Sequence, residues 1–131
     1  MRRTAAGITT LALLAATAGT ATAAGYPTSD FNGDTASSKG GFVDGTFTWY
    51  ERSVGVSGVV FDREPAGSTT VIFKFYSGSR LQDIQTRTAS NGPRKFGWAE
   101  PGPAGGISAV EIYLAYDGNE TFVAKVPRKV W

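Results

Sequence analysis

Strict alternation of apolar and polar side chains around Asp117-Gly118 constrains the fold more than any other feature of this chain. A period of two predicts β-strand, and Asp-Gly accepts the positive φ angles of a two-residue type I′ turn. The two runs therefore predict an antiparallel hairpin, which must bury its apolar side against further strands because an isolated hairpin is only marginally stable in water. The alternating residues are Val110, Ile112, Leu114 and Tyr116 before the turn, and Phe122, Ala124 and Val126 after it.

The same alternation predicts strands over residues 46–52, 54–61, 69–76 and 94–99, and a weaker edge strand over residues 80–88. Within 54–61 the phase of the apolar residues slips at Gly58, which predicts a β-bulge. About seven short strands with turn signals between them, and no helical period, predict an all-β fold: an antiparallel β-sandwich of immunoglobulin-like type. A small open barrel is the alternative. The predicted core consists of Phe47, Trp49, Phe73, Phe75, Trp98, Ile112 and Leu114.

The first 23 residues have the features of a secretory signal peptide. Met1-Arg2-Arg3 is basic, residues 8 to 18 are small and apolar, and Ala21-Thr22-Ala23 matches an A-x-A cleavage site. The apolar stretch is shorter than the ~20 residues that a membrane span requires. We therefore predict a secreted protein, extracellular or associated with the cell surface, without a membrane span.

Residues 24–45 are rich in Gly, Ser, Thr and Asp and have no sustained period, which predicts a flexible N-terminal arm ahead of a sandwich domain over residues 46–131. Within the arm, residues 30–34 resemble the start of a calcium loop. The sixth position would be Thr35 where such a loop needs Gly, and the twelfth would be Gly41 where it needs Glu. No metal site is predicted there.

The charge of the exported chain gives no sign of a nucleic-acid partner. The full sequence has 13 basic and 11 acidic residues, and loss of Arg2 and Arg3 with the signal peptide balances them. A balanced net charge gives no support to a partner with a phosphate backbone, and the local basic residues Arg94, Lys95, Lys125, Arg128 and Lys129 are interpreted as solvated surface. The chain also lacks cysteine, so its core must be stable by packing without disulfides.

The absence of His and Cys from the sequence excludes the usual Ser-His-Asp, Cys-His and zinc sites. Ser-x-x-Lys, Gly-x-Ser-x-Gly, phosphate-loop and dinucleotide motifs are also missing, and no cofactor is predicted. We therefore predict a non-catalytic protein with no catalytic residues. A glycosidase built on two carboxylates is the enzymatic alternative, with Glu100 and Glu111 as its candidates.

Five residues are predicted to form a binding face: Tyr50, Tyr76, Tyr113, Arg52 and Lys74. The three tyrosines lie on the outward phase of different predicted strands, beside the charged residues. If those strands share a sheet, the resulting face would bind a carbohydrate ring or a protein partner. The alternative is that the tyrosines only pack across neighbouring strands. A further possibility is a protease inhibitor or effector that presents the loop at residues 63–68 or 100–106.

Two segments carry a resemblance to known proteins. The run from Trp49 to Gly58, together with Thr86 to Gly92, resembles small, uncharacterised exported proteins of high-GC Gram-positive bacteria. The size and strand pattern are also similar to those of the apoproteins of secreted enediyne chromoproteins. That resemblance implies an immunoglobulin-like fold, although those proteins use disulfides that this chain lacks.

Overall fold

A computed structural model describes residues 25–130 of the chain, which form two four-stranded antiparallel sheets. The predicted signal peptide, residues 1–23, lies outside the described residues. The strands are β1 (Thr28–Asp34), β2 (Gly41–Trp49), β3 (Val54–Asp62), β4 (Thr69–Ser77), β5 (Arg80–Ala89), β6 (Gly92–Glu100), β7 (Ala109–Tyr116) and β8 (Asn119–Pro127). The first sheet has the order β1-β2-β3-β6 and the second the order β5-β4-β7-β8. The predicted all-β sandwich is confirmed, with eight strands in this range where about seven were expected.

The predicted hairpin turn forms at Asp117-Gly118. Asp117 and Gly118 both have positive φ angles, 52° and 77°, as a type I′ turn requires. The turn joins β7 to β8, and β7 also pairs with β4. Val110, Ile112 and Leu114 of β7 are completely buried in the core.

The core lies between the two sheets and centres on Phe73, which is completely buried. Its ring contacts five other aromatic rings, those of Phe31, Phe47, Phe96 and Trp98 from the first sheet and that of Phe75 from its own strand. Six of the seven predicted core residues are at most 1% exposed, and Trp98 packs against them partly buried. The described residues thus build a packed core without cysteine.

The predicted arm over residues 24–45 was wrong for most of its length. Residues 28–34 form β1, and β2 already begins at residue 41. Phe31 explains the difference, because its ring is 3% exposed and stacks on Phe47 at 4.5 Å in the core. A strand with one inward aromatic among outward Asp and Asn residues has too little alternation to be recognised in sequence.

The bulge predicted at Gly58 was also wrong. The pairing of β3 with β2 and with β6 continues through this residue without a shift. Gly58 instead lies opposite Gly45, where the backbones of β2 and β3 approach closely. Val59 and Phe61 therefore point outward, and Val60 continues the inward phase.

A bulge occurs instead in β8. Ile112 pairs with Ala124 and Tyr113 with Phe122, which leaves Val123 as the additional residue. Val123 packs against the core, whereas Phe122 turns outward and is 55% exposed. The inward position predicted for Phe122 was thus wrong. Within residues 25–130, no helix has the length and apolar character needed to cross a membrane.

Candidate functional site

The outward side chains of β5, β4, β7 and β8 form a regular array, which we call the outer face of the second sheet. The strand register arranges them in four rows across the sheet. In strand order, the rows are Leu81-Tyr76-Ala109-Pro127, Ile84-Lys74-Glu111-Lys125, Thr86-Ile72-Tyr113-Phe122 and Thr88-Thr70-Ala115-Glu120. Three of the predicted site residues, Lys74, Tyr76 and Tyr113, share this face.

A hydrogen-bonded group lies at the centre of the outer face. The Tyr76 and Tyr113 hydroxyls both donate to Oε1 of Glu111, at 3.1 Å and 3.0 Å. The Lys74 ammonium lies 4.5 Å from the centre of the Tyr113 ring, in a cation–π contact. Partial burial raises the pKa of Tyr76, with a further rise from its bond to Glu111. The pKa of Tyr113 is raised chiefly by the same carboxylate.

Apolar side chains flank this centre and are open to solvent. Leu81 and Ile84 on β5 are each 46% exposed, and Phe122 on β8 is 55% exposed. The Phe122 ring contacts Tyr113 edge to face at 5.5 Å. Exposed apolar side chains grouped on one surface, rather than scattered, are typical of interaction sites.

The charged groups of the outer face balance each other. Lys74 and Lys125 carry positive charge, and Glu111 and Glu120 carry negative charge. Glu111 lies between the two lysines in the register of its row. Such a face attracts neither a polyanion nor a polycation strongly.

The corresponding face of the first sheet is more polar. It presents Asp30, Asp44 and Thr46, with a hydrogen bond of 2.9 Å from the Thr46 hydroxyl to Asp30. Its aromatic pair, Phe42 and Phe61, is stacked at 5.3 Å and only partly exposed. The two outer faces of the sandwich therefore differ in chemical character.

Tyr50 and Arg52 lie away from the outer face of the second sheet. They belong to the loop between β2 and β3, at one end of the sandwich. The Tyr50 ring contacts Tyr26 edge to face at 4.9 Å beside an open cleft of about 430 Å³. Pro101 and Gly102 line the same cleft. The structure thus divides the five predicted site residues into a group of three and a group of two.

Glu100 occupies a third location, the seam between the edge strands β5 and β6. It is the last residue of β6 rather than part of the following loop, and it is 4% exposed. Its carboxyl accepts a hydrogen bond from the Trp98 indole at 3.0 Å and shares another with Asp83 of β5. Burial raises the pKa of Glu100 to about 7, and the bond with Asp83 adds to the rise. The pKa of Asp83 is lowered, chiefly by its bond to Glu100.

Glu100 and Glu111 do not come together. Glu111 points outward from the second sheet, whereas Glu100 points into the seam. Asp83 is the partner that sequence reasoning missed, because its pairing with Glu100 depends on how the two sheets are stacked. Among residues 25–130, no group of three or more acidic side chains is placed to hold a metal ion.

Sequence reasoning also missed the exposed apolar residues of the outer face. The alternation of the hairpin places Phe122 on its apolar, inward side, and the pattern over residues 80–88 predicts only a weak edge strand for Ile84. The phase of Ile84, opposite to Asp83 and Gln85, was the one available signal. No family model, curated protein or solved structure matches this chain.

Proposed function

We propose that the protein is an exported binding module that holds another polypeptide on the outer face of its second sheet. One observation carries the proposal: Leu81, Ile84 and Phe122 are about half exposed around an ordered, charge-balanced centre. Aromatic side chains are enriched at interfaces between proteins, and this face presents Tyr76, Tyr113 and Phe122 together with charges that compensate each other.

The chemistry of the face favours a polypeptide over a carbohydrate. Sugar recognition uses an open aromatic ring together with free polar groups that bond hydroxyls. Here both tyrosine hydroxyls donate to Glu111, and Lys74 covers Tyr113. The flanking aliphatic residues offer a sugar nothing to bond.

A non-catalytic role agrees with the available side chains. The sequence has no His or Cys. The two carboxylates of a glycosidase stand roughly 5–10 Å apart on either side of a substrate. Asp83 and Glu100 instead hydrogen-bond each other, which leaves no room between them for a sugar.

The strand order supports an assignment to the immunoglobulin-like group. If β2 to β8 are taken as the seven strands A to G, then β2, β3 and β6 match A, B and E, and β4, β7 and β8 match C, F and G. β5 pairs with β4 instead of β6, and β1 is an additional strand beside β2. The outer face would then be that of the sheet containing C, F and G.

Export rests on the basic, apolar and A-x-A segments of residues 1–23. Mass spectrometry of the protein from culture fluid should give a chain that begins at or within a residue or two of Ala24. Recovery only from the cell interior, with residues 1–23 intact, would contradict export.

Site-specific photo-crosslinking tests the binding proposal. A benzophenone amino acid is placed at Phe122 in one variant and at Asp44, on the outer face of the first sheet, in a matched control. Illumination in the producing culture should give a protein adduct from position 122 and none from position 44. Equal adducts from both positions, or none from position 122, would contradict the proposal, as would a glycan that binds the wild type but not Tyr113→Ala.

A further inference from the structure

We propose that the occupant of the outer face is a second copy of this chain, related by a two-fold axis that lies in the interface, parallel to the strands and midway between β4 and β7. This inference rests on the proposed function and names its partner. It follows from the arrangement of three of the four rows, which are complementary in charge or in side-chain size under this operation.

A two-fold axis parallel to the strands keeps each row at the same position along the strands and reverses the strand order within the row. β4 then stacks on β7 of the second copy, and β5 stacks on β8 of the second copy. Such stacking keeps the strands of the two sheets nearly aligned, as in other face-to-face sheet packing. An interface of this kind uses the same surface on both chains, so each contact occurs twice.

The row with the central charges is complementary under this operation. Lys74 lies beside Glu111 in the register of β4 and β7. Reversal of the strand order places Lys74 opposite Glu111 of the second copy, and Glu111 opposite Lys74 of the second copy. Two cross-interface ion pairs result, and like charges do not face each other in this row.

Side-chain size is complementary in the neighbouring rows. Tyr76 falls opposite Ala109 of the second copy, so the largest side chain of that row meets a small one. Phe122 falls opposite Thr86, and Ile72 opposite Tyr113. The exposed ring of Phe122 and the exposed chain of Ile84 are both covered, Ile84 by the aliphatic stem of Lys125.

The outer face is small for a specific interface. Eight residues at ~3.3 Å each and four strands at ~4.8 Å apart give a face of about 500 Å². Two such faces bury about 1,000 Å², near the lower limit for a specific interface. We therefore expect a dimer that forms and dissociates with concentration rather than a permanent one.

Charge reversal with complementation tests this arrangement. In Lys74→Glu two carboxylates face two carboxylates across the interface, and in Glu111→Lys two ammonium groups face two ammonium groups. Each variant alone should sediment as a monomer at concentrations where the wild type is dimeric. An equimolar mixture should restore dimers, because each glutamate of one variant then faces a lysine of the other. Native mass spectrometry should show these dimers to be mixed.

Mixing repairs only contacts between chains, so rescue cannot come from repair within one chain. The double variant Lys74→Glu/Glu111→Lys should also dimerise, and thermal unfolding of all variants checks that they fold. Dimerisation of either single variant at wild-type strength, or failure of the mixture to dimerise, overturns the two-fold arrangement. A monomeric wild type whose position 122 crosslinks a different protein overturns the dimer and leaves the proposed function standing. If position 122 crosslinks neither a second copy nor another protein, both proposals are wrong.

Discussion

Glu100 and Asp83 show how one residue pair can connect the two sheets of this sandwich. Glu100 comes from the first sheet and Asp83 from the second, and their hydrogen bond closes the seam between β5 and β6. Asp83, Gln85 and Arg87 all point inward on the edge strand β5. Arg87 lies over the Trp98 ring at 4.0 Å, so polar groups rather than apolar ones complete this margin. Inward-pointing charges are a common means of keeping an edge strand from pairing with other chains.

The Glu100 carboxyl should make stability depend on pH. Its ordinary pKa is 4.5 and its folded-state pKa is about 7, so between these values the folded chain keeps a proton that the unfolded chain releases. The free energy of unfolding should therefore fall as pH rises from about 4.5 to about 7, by on the order of 2 kcal/mol. Urea unfolding at pH 5 and pH 8 measures this difference.

Glu100→Gln is the matched control, since its amide can still accept from Trp98 and donate to Asp83 without titrating. The pH dependence in this window should largely disappear in the variant. An unchanged slope in Glu100→Gln would assign the effect to another group.

Gly58 and Gly97 provide a matched pair of glycines in adjacent strands. A Cβ on Gly58 would clash with the carbonyl oxygen of Asp44 and lie 2.7 Å from Cα of Gly45, all of it backbone. A Cβ on Gly97 would meet nothing closer than 3.9 Å. Gly58→Ala should therefore lower the free energy of unfolding by about 1–3 kcal/mol, and Gly97→Ala should change it little. Chemical denaturation measures the unfolding free energy of both variants. Equal losses in the two variants would contradict the close approach of β2 and β3.

At the scale of elements, the sequence predicted those strands whose two faces differ in polarity. β4 alternates buried Val71, Phe73 and Phe75 with more exposed neighbours, and β7 does the same up to Tyr116. β1 escaped prediction because one buried phenylalanine is too few to establish a period. The bulge in β8 was not predictable from the sequence because both Phe122 and Val123 are apolar. Which of the two points inward depends on the register with β7.

The candidate site was predictable to the same extent. Tyr76 and Tyr113 have the outward phase of strands that pair with each other, so alternation alone brought them to one face. Tyr50 was assigned by the same argument, but β2 ends at Trp49 and belongs to the other sheet. Strand order is a property of the whole chain, and no local pattern supplies it.

Arg128 connects the segment after β8 to residues at the end of β2, in the opposite sheet. Its guanidinium donates to the carbonyl oxygens of Ile107 and Tyr50 and lies 5.3 Å from the Trp49 ring centre. Burial lowers its pKa. Arg128→Ala should cost roughly 1–3 kcal/mol of unfolding free energy, and Arg128→Lys should recover only part, because an ammonium cannot reach several carbonyls in a fixed fork. Thermal unfolding measures these differences, and Lys129→Ala, at an exposed neighbouring position, should have almost no effect on the unfolding free energy.

At the scale of the molecule, the sandwich has two outer faces of different chemical character around a single core, and the large exposed apolar side chains of these faces lie on the second sheet. Stability and association should therefore respond to different residues. Phe73→Ala, in the centre of the core, should cost about 3–5 kcal/mol. Ile84→Ser and Phe122→Ser, on the outer face, should change stability by no more than ~0.5 kcal/mol yet weaken association strongly. Calorimetry and sedimentation of the three variants separate the two properties, and a large loss of stability in Phe122→Ser would place that ring in the core after all.

Hydroxyl-radical footprinting tests the central claim most directly, because it reports which side chains become covered when the purified protein is added to the fluid of the producing culture. The reference is the purified protein at high dilution. We expect Leu81, Ile84 and Phe122 to lose reactivity in the culture fluid, while Phe42 and Phe61 on the first sheet keep theirs. Unchanged reactivity at Leu81, Ile84 and Phe122, or protection confined to Tyr26 and Tyr50 beside the end cleft, would contradict the assignment of the outer face as the binding surface.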